Sequence, residues 1–334
     1  MSQPYDRVAI LGAGAWGTAL AQVAAAAGRR VILWAREREV IEGVNYRQEN
    51  PLFLPGVSLN QAVRATADLE DVAKADLILA VTPAQHMRGV LRQLRPFLNP
   101  RTPVVLCAKG VERGTLALMT DVLKEEIPEI TPAVLSGPGF AKDVARGLPT
   151  ATTIASPDQE LARRIVATIG LPTFRPYVAD DLIGAEIGGA VKNVIAIACG
   201  VAEGRRLGDG ARAALITRGF AELTRLGLAM GARAETLSGL CGLGDLVLTC
   251  ASMTSRNTSL GAALGEGRAL KDVLAERRSV AEGAESAPAV VALAAKHKVE
   301  MPISAAVDAI VAERISIDEA IAALLSRPFK AEGV

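Results

Sequence analysis

The chain has 334 residues, half of them apolar, and carries 37 Lys and Arg against 36 Asp and Glu for a net charge of +1. That length calls for two domains with sizeable cores, the apolar content excludes a disordered chain, and the balanced charge gives no general electrostatic basis for holding nucleic acid or an anionic membrane surface. The cysteines Cys107, Cys199, Cys241 and Cys250 form no C-x-x-C pair, and with His86 and His297 as the only histidines no zinc ligand set can be drawn; no metal is expected, and the thiols read as free in a reducing cytoplasm.

The first predicted strand, residues 7–11, runs into Gly12-Ala13-Gly14-Ala15-Trp16-Gly17 and then a helical run, which is the G-x-G-x-x-G spacing in the strand–turn–helix setting that binds dinucleotides. Gly12 permits the tight turn, Gly14 lets backbone approach a pyrophosphate, and Gly17 lets the helix pack on the strand. The N–H groups of the helix N-terminus then face the phosphates. Residues 8–28 carry no charge and resemble a signal or membrane helix by hydropathy, but the glycine turn divides them into a strand and a helix that a sheet would bury. The second strand, 31–34, leads into Ala35-Arg36-Glu37-Arg38, where an NAD-preferring site usually carries Asp or Glu. Arg36 and Arg38 suit a 2′-phosphate, so NADPH is expected as well as NADH; solvated charges at a helix start are the other reading.

Further strands are predicted at 63–65, 77–81, 104–107, 133–135, 151–155 and 173–176, with amphipathic helices between them at 84–94 and 159–169. This alternation predicts an α/β Rossmann-type doubly wound sheet over residues 1–178. After about Ala179 strand-like runs nearly vanish and alanine, leucine and glutamate dominate, so residues 179–334 are expected to form an all-α domain. The apolar run 182–201 contains Glu186, Lys192 and Asn193, which argues for a buried helix in a soluble protein and against a membrane span.

Loops beyond strand C-termini are where α/β sheets place ligands. Thr82-Pro83, Ala108-Lys109-Gly110 and Ser136-Gly137-Pro138-Gly139-Phe140-Ala141 all occupy such positions, each with an ordinary turn or surface residue as its alternative. Lys192 stands in the apolar run, where a lysine is costly unless it is paired, has a lowered pKa, or snorkels to water. Hydride transfer needs a proton carrier at the reacting oxygen. Neither histidine lies in a loop marked by glycines and no tyrosine is followed by lysine four residues on, which leaves lysine. Asp245, after the glycine-rich 239–244, and Ser255-Arg256-Asn257 each read alone as a helix cap or loop; together with the two lysines, Arg256 and Asn257 point to a small anionic substrate, and the guanidinium fork suits phosphate.

Together GAGAWGTALA at 12–21, AKG around Lys109, SGPGFA at 136–141, KNVIAIACG at 192–200, GLGDL at 242–246, SRN at 255–257 and VAEG at 280–283 resemble the bacterial NAD(P)-dependent glycerol-3-phosphate dehydrogenases over nearly the whole chain. The resemblance implies interconversion of dihydroxyacetone phosphate and sn-glycerol 3-phosphate with NAD(P)H, supplying glycerophospholipid synthesis in the cytoplasm, by a homodimer. By motif it makes Lys192 the proton donor and acceptor, with Lys109 and Asp245 beside it in catalysis. It places Lys109, Gly137, Gly139, Lys192, Asp245, Ser255, Arg256 and Asn257 at the substrate. Cofactor positions are Gly12, Gly14, Ala15, Trp16, Gly17, Arg36, Lys109, Ala141, Arg256, Val280 and Glu282. Ser or Thr is expected where this chain has Gly139, so a hydroxyl is missing there. A hydroxy-acid dehydrogenase of the same architecture and a nucleotide-sensing protein without chemistry are the alternatives.

Overall fold

The computed structural model describes residues 3–276 and 281–328. The chain divides into two compact units, Met1–Lys109 with Ala117–Glu186, and Gly110–Leu116 with Ile187–Val334. The division at 186/187 falls later than the 178/179 read from the sequence, and a short segment of the first half belongs to the second unit.

The first unit is built on a sheet of eight strands: β1 (Arg7–Leu11), β2 (Arg30–Trp34), β3 (Val63–Thr66), β4 (Leu77–Ala80), β5 (Val104–Leu106), β6 (Ala133–Ser136), β7 (Thr150–Ala155) and β8 (Phe174–Ala179). Their order is β3-β2-β1-β4-β5-β6-β7-β8. Neighbours run parallel except β6 and β7, which are antiparallel. All eight predicted strands form, and helices Ala84–Leu94 and Gln159–Ile169 have the predicted ends. The central strands are apolar because both faces are covered: Val8, Ala9, Ile10, Leu11 and Leu77 to Ala80 are fully buried. The order reverses between β1 and β4, so their C-terminal ends form the switch point at which a doubly wound sheet takes its ligand.

Every regular element of the second unit is helical among the described residues. Helix Leu182–Gly204 is long and apolar enough to cross a membrane by composition, yet 89% of its most apolar window is buried within the protein. It crosses helix Arg256–Gly265 with backbone against backbone: a β-carbon on Gly261 would stand 2.0 Å from the carbonyl oxygen of Ile197, and one on Gly200 2.0 Å from that of Thr258. Glycine at both positions allows an approach that any side chain would prevent. Glu222, on helix Asp209–Ala229, is buried and accepts from Ile303 N–H at 2.6 Å and from Ser304 N–H at 3.0 Å, satisfying the open N-terminus of helix Pro302–Val311. Burial raises the pKa of its carboxyl.

Candidate active site

The dinucleotide fingerprint is laid out on the switch point. Gly12 follows β1 with φ of +127°, and a β-carbon there would stand 3.1 Å from the backbone of Val81 and Thr82 beyond β4. Thr82 Oγ1 donates to Leu11 O at 2.9 Å, so the β4 loop is tied to the glycine turn itself. At Gly17 a β-carbon would lie 1.9 Å from Gly12 O, which is why helix Ala15–Ala26 can start so close to the strand. Gly14 is exposed, has no atom within 4 Å of its β-carbon position, and caps the helix without a side-chain hydrogen bond. An open cradle over an uncapped helix N-terminus fits a pyrophosphate. Ala15 and Trp16 form the first turn of that helix and Ala141 opens helix Ala141–Ala145. At the end of β2, Arg36 is exposed with Nη2 3.8 Å from Glu37, while Arg38 bonds Glu42 at 2.6 Å. Of the two arginines, Arg36 has the looser tie.

The glycine loop after β6 and the lysine after β5 meet within the same unit. Lys109 Nζ donates to Gly137 O at 2.8 Å and lies 5.9 Å from the centre of the Trp16 ring. Gly137, at φ of +142°, leaves its β-carbon position 2.9 Å from Thr152, whose hydroxyl donates to Ser136 O at 2.7 Å. Here the antiparallel β7 serves the site by bringing Thr152 beside the loop. Gly139, where a hydroxyl was expected, faces the indole: a β-carbon there would stand 3.3 Å from both Trp16 Cη2 and Val144 Cγ2. The space a side chain would begin to fill is already lined by Trp16.

In the second unit Lys192 is not a snorkelling lysine. It is 7% exposed, and its Nζ lies 2.6 Å from Asp245 Oδ1 and 2.8 Å from Thr249 Oγ1. Asp245 is 1% exposed and begins helix Asp245–Cys250; Thr249 donates onward to the carbonyl of Asp245 at 2.6 Å. A buried ammonium is thus matched by a buried carboxylate and oriented by a hydroxyl, which answers the desolvation cost. Ser255 caps helix Arg256–Gly265 through Oγ to Thr258 N–H at 3.2 Å, and Thr258 Oγ1 donates to Thr249 O at 2.7 Å. Arg256, exposed, therefore starts a helix whose first turn is tied to the Lys192 set. Asn257 is buried and bonded to Asn193 and Gly283. Glu282 opens helix Glu282–Lys296; Val280 lies outside the described residues.

The NAD-dependent glycerol-3-phosphate dehydrogenase N-terminus profile matches residues 7–162, and the profile of the same family's C-terminus matches residues 181–322. The chain belongs to the NAD-dependent glycerol-3-phosphate dehydrogenase family. It is 63% identical over 332 residues to glycerol-3-phosphate dehydrogenase (NAD(P)+) of Parvibaculum lavamentivorans, covering 99% of this chain and all of the relative. With the Caulobacter vibrioides protein of that name it shares 60% identity, over 98% of this chain and 99% of the other. A crystal structure of glycerol-3-phosphate dehydrogenase from Coxiella burnetii superposes with a TM-score of 0.93 at 39% identity, covering 96% of this chain and 99% of that one. As a member of this family the chain is an NAD(P)-dependent oxidoreductase acting on a CH–OH group, with the Rossmann sheet and helical second unit expected of it.

Two residues of this dehydrogenase's lysine site went unread in the sequence. Thr249 follows Asp245 at i+4, the spacing that puts both on one helix face, but a threonine at that spacing is too common to stand out. Asn193, next to Lys192, counted only as a polar break in an apolar run.

Proposed function

We propose that this chain interconverts dihydroxyacetone phosphate and sn-glycerol 3-phosphate, with Lys192 as acid and base. The observation that carries the reading is the buried Lys192–Asp245 pair with Thr249, tied through Thr258 to the Ser255-Arg256-Asn257 turn. A nicotinamide dinucleotide, which Gly12, Gly14, Ala15, Trp16, Gly17, Arg36 and Ala141 would hold along its length, would supply or accept the hydride. In reduction, the Lys192 ammonium gives its proton to the alkoxide developing on C2, and in oxidation the neutral amine takes the hydroxyl proton. Asp245 balances the charged form of the lysine, and Thr249 holds its direction. Lys109, fixed by Gly137 O and the indole of Trp16, adds a positive charge for the same oxygen. Arg256 offers its fork to the phosphate at a helix N-terminus. Binding energy at the phosphate, remote from C2, then orients the carbonyl.

Resemblance further supports a cytoplasmic homodimer that supplies glycerophospholipid synthesis. The test of the central reading is loss of reduced-nicotinamide absorbance with dihydroxyacetone phosphate, against unphosphorylated dihydroxyacetone. Rapid oxidation that depends on the phosphate is expected and should vanish in Lys192→Ala with cofactor binding intact; equal rates with the two ketones would overturn phosphate anchoring.

A further inference from the structure

The crossover from β2 to β3 reaches back to the glycine turn through one side chain. Asn50 is fully buried; its Nδ2 donates to Ala13 O and to Thr18 Oγ1, each at 2.8 Å, and its Oδ1 accepts from Phe53 N–H at 3.1 Å. The backbone donor of Phe53 can meet only the oxygen, so both N–H bonds of the amide are committed to the glycine turn and the helix behind it. Ala13 stands between Gly12 and Gly14, 37 positions from Asn50. Thr18, also fully buried, adds its hydroxyl to the same carbonyl at 3.3 Å. The segment that carries Asn50 is itself held: Leu54 N–H bonds to Asn50 O at 3.1 Å, Leu59 N–H bonds to Gln48 O at 2.7 Å, and Leu54, Val57 and Leu59 are buried in the core of the sheet unit. Its own turn is tight, since a β-carbon on Gly43 would stand 2.6 Å from Pro51 Cδ.

A trans peptide sets its C=O and its N–H on opposite sides. Ala13 O and Gly14 N–H belong to one peptide unit, so a group that grips the oxygen from within the core turns the N–H outward, to the exposed side where Gly14 leaves its β-carbon position open. We infer that Asn50 is a positioning residue for the cofactor: it holds the Ala13–Gly14 peptide so that Gly14 N–H is presented to the pyrophosphate, and, fully buried, it touches no ligand itself. Glycine gives the turn freedom for close approach and equal freedom to turn away; Asn50 removes the second. The inference rests on the reading of this turn as a pyrophosphate cradle.

The test compares two ligands on the intact protein: NADPH, read by fluorescence, and adenosine 2′-phosphate, which lacks the pyrophosphate, read by NMR titration. Asn50→Ala leaves Ala13 O with only the longer bond from Thr18 and should raise the Kd of NADPH about tenfold, the scale of one buried hydrogen bond lost, with the Kd of adenosine 2′-phosphate unchanged. Asn50→Asp keeps the oxygen for Phe53 N–H and loses the donors, so it should give the same split even if the alanine variant does not fold; thermal melting reports the fold of each. An unchanged NADPH Kd, or an equal loss of both ligands, would overturn the inference, the second outcome marking Asn50 as a residue that only supports the fold. Gly14→Val separates the inference from the reading beneath it. An unchanged NADPH Kd in that variant removes the cradle and the role of Asn50 with it, whereas a raised Kd there beside an unchanged one in the Asn50 variants sinks the positioning role alone.

Discussion

Thr249 gives Lys192 a second acceptor: its hydroxyl receives a hydrogen bond from Nζ at 2.8 Å and passes its own proton to the carbonyl of Asp245 at 2.6 Å. The lysine is thereby aimed as well as paired. Thr249→Val, which keeps the shape and removes the hydroxyl, should lower kcat by roughly tenfold to a hundredfold, the scale of a hydrogen bond to a charged group. Thr249→Ser should restore most of the rate. An unchanged kcat in the valine variant would mean that Asp245 alone orients the amine.

Arg36 is 3.8 Å from Glu37 and its side chain is 69% exposed, whereas Arg38 is held by Glu42. Arg36→Ala should therefore raise KM for NADPH by about tenfold, the scale of one charge-assisted contact, with little effect on KM for NADH. Equal effects on both cofactors would make Arg36 a solvated charge with no part in 2′-phosphate recognition.

Glu186 is buried and accepts from Thr120 N–H at 3.0 Å and from its hydroxyl at 2.6 Å, near the start of helix Met119–Glu126. Burial pushes its carboxyl up to about 7 from 4.5. A raised carboxyl pKa favours the folded state fully below the unfolded value, and that advantage is lost as pH rises through the folded value. The wild-type protein should accordingly lose up to about 3 kcal/mol between pH 4.5 and 7 from this group. Glu186→Gln should remove that slope, so its Tm relative to wild type should climb between these pH values. A constant difference across the range would show that Glu186 does not titrate there.

Gly261→Ala sets helix propensity against packing. Alanine favours a helix over glycine by about 1 kcal/mol, but its β-carbon would stand 2.0 Å from Ile197 O, a backbone atom that cannot turn aside. The clash should win, with a net loss of about 2 kcal/mol in urea unfolding. A variant as stable as wild type would mean that the two helices can separate at no cost.

The strands were legible because a sheet covered on both faces demands continuous apolar runs, and 77–81 and 104–107 supply them. The reversal of β7 was not, because parallel and antiparallel pairing leave the same mark on a short run such as Thr150–Ala155. The glycine fingerprint could be read residue by residue, since each glycine answers a separate steric demand. Lys192 was visible as a charge in an apolar helix, and its partner Asp245 as a carboxylate after glycines. Their contact spans 53 positions, and neither local pattern nor periodicity reports a separation of that kind. Asn257 shows the same limit: its bonds to Asn193, 64 positions away, and to Gly283, 26 away, leave no mark on the residues beside it.

Residues 110–116 belong with the helices although they leave and re-enter the chain of the Rossmann sheet; within the helical unit Arg113 Nε donates to Glu285 O at 3.0 Å. No single cut in the gene can therefore release either half intact. A fragment starting at Ile187 would lack a piece of its own fold, and one ending at Glu186 would carry a foreign loop with nothing to rest on. A chimera that exchanges the helical half should accordingly carry the seven-residue excursion, Gly110–Leu116, along with it.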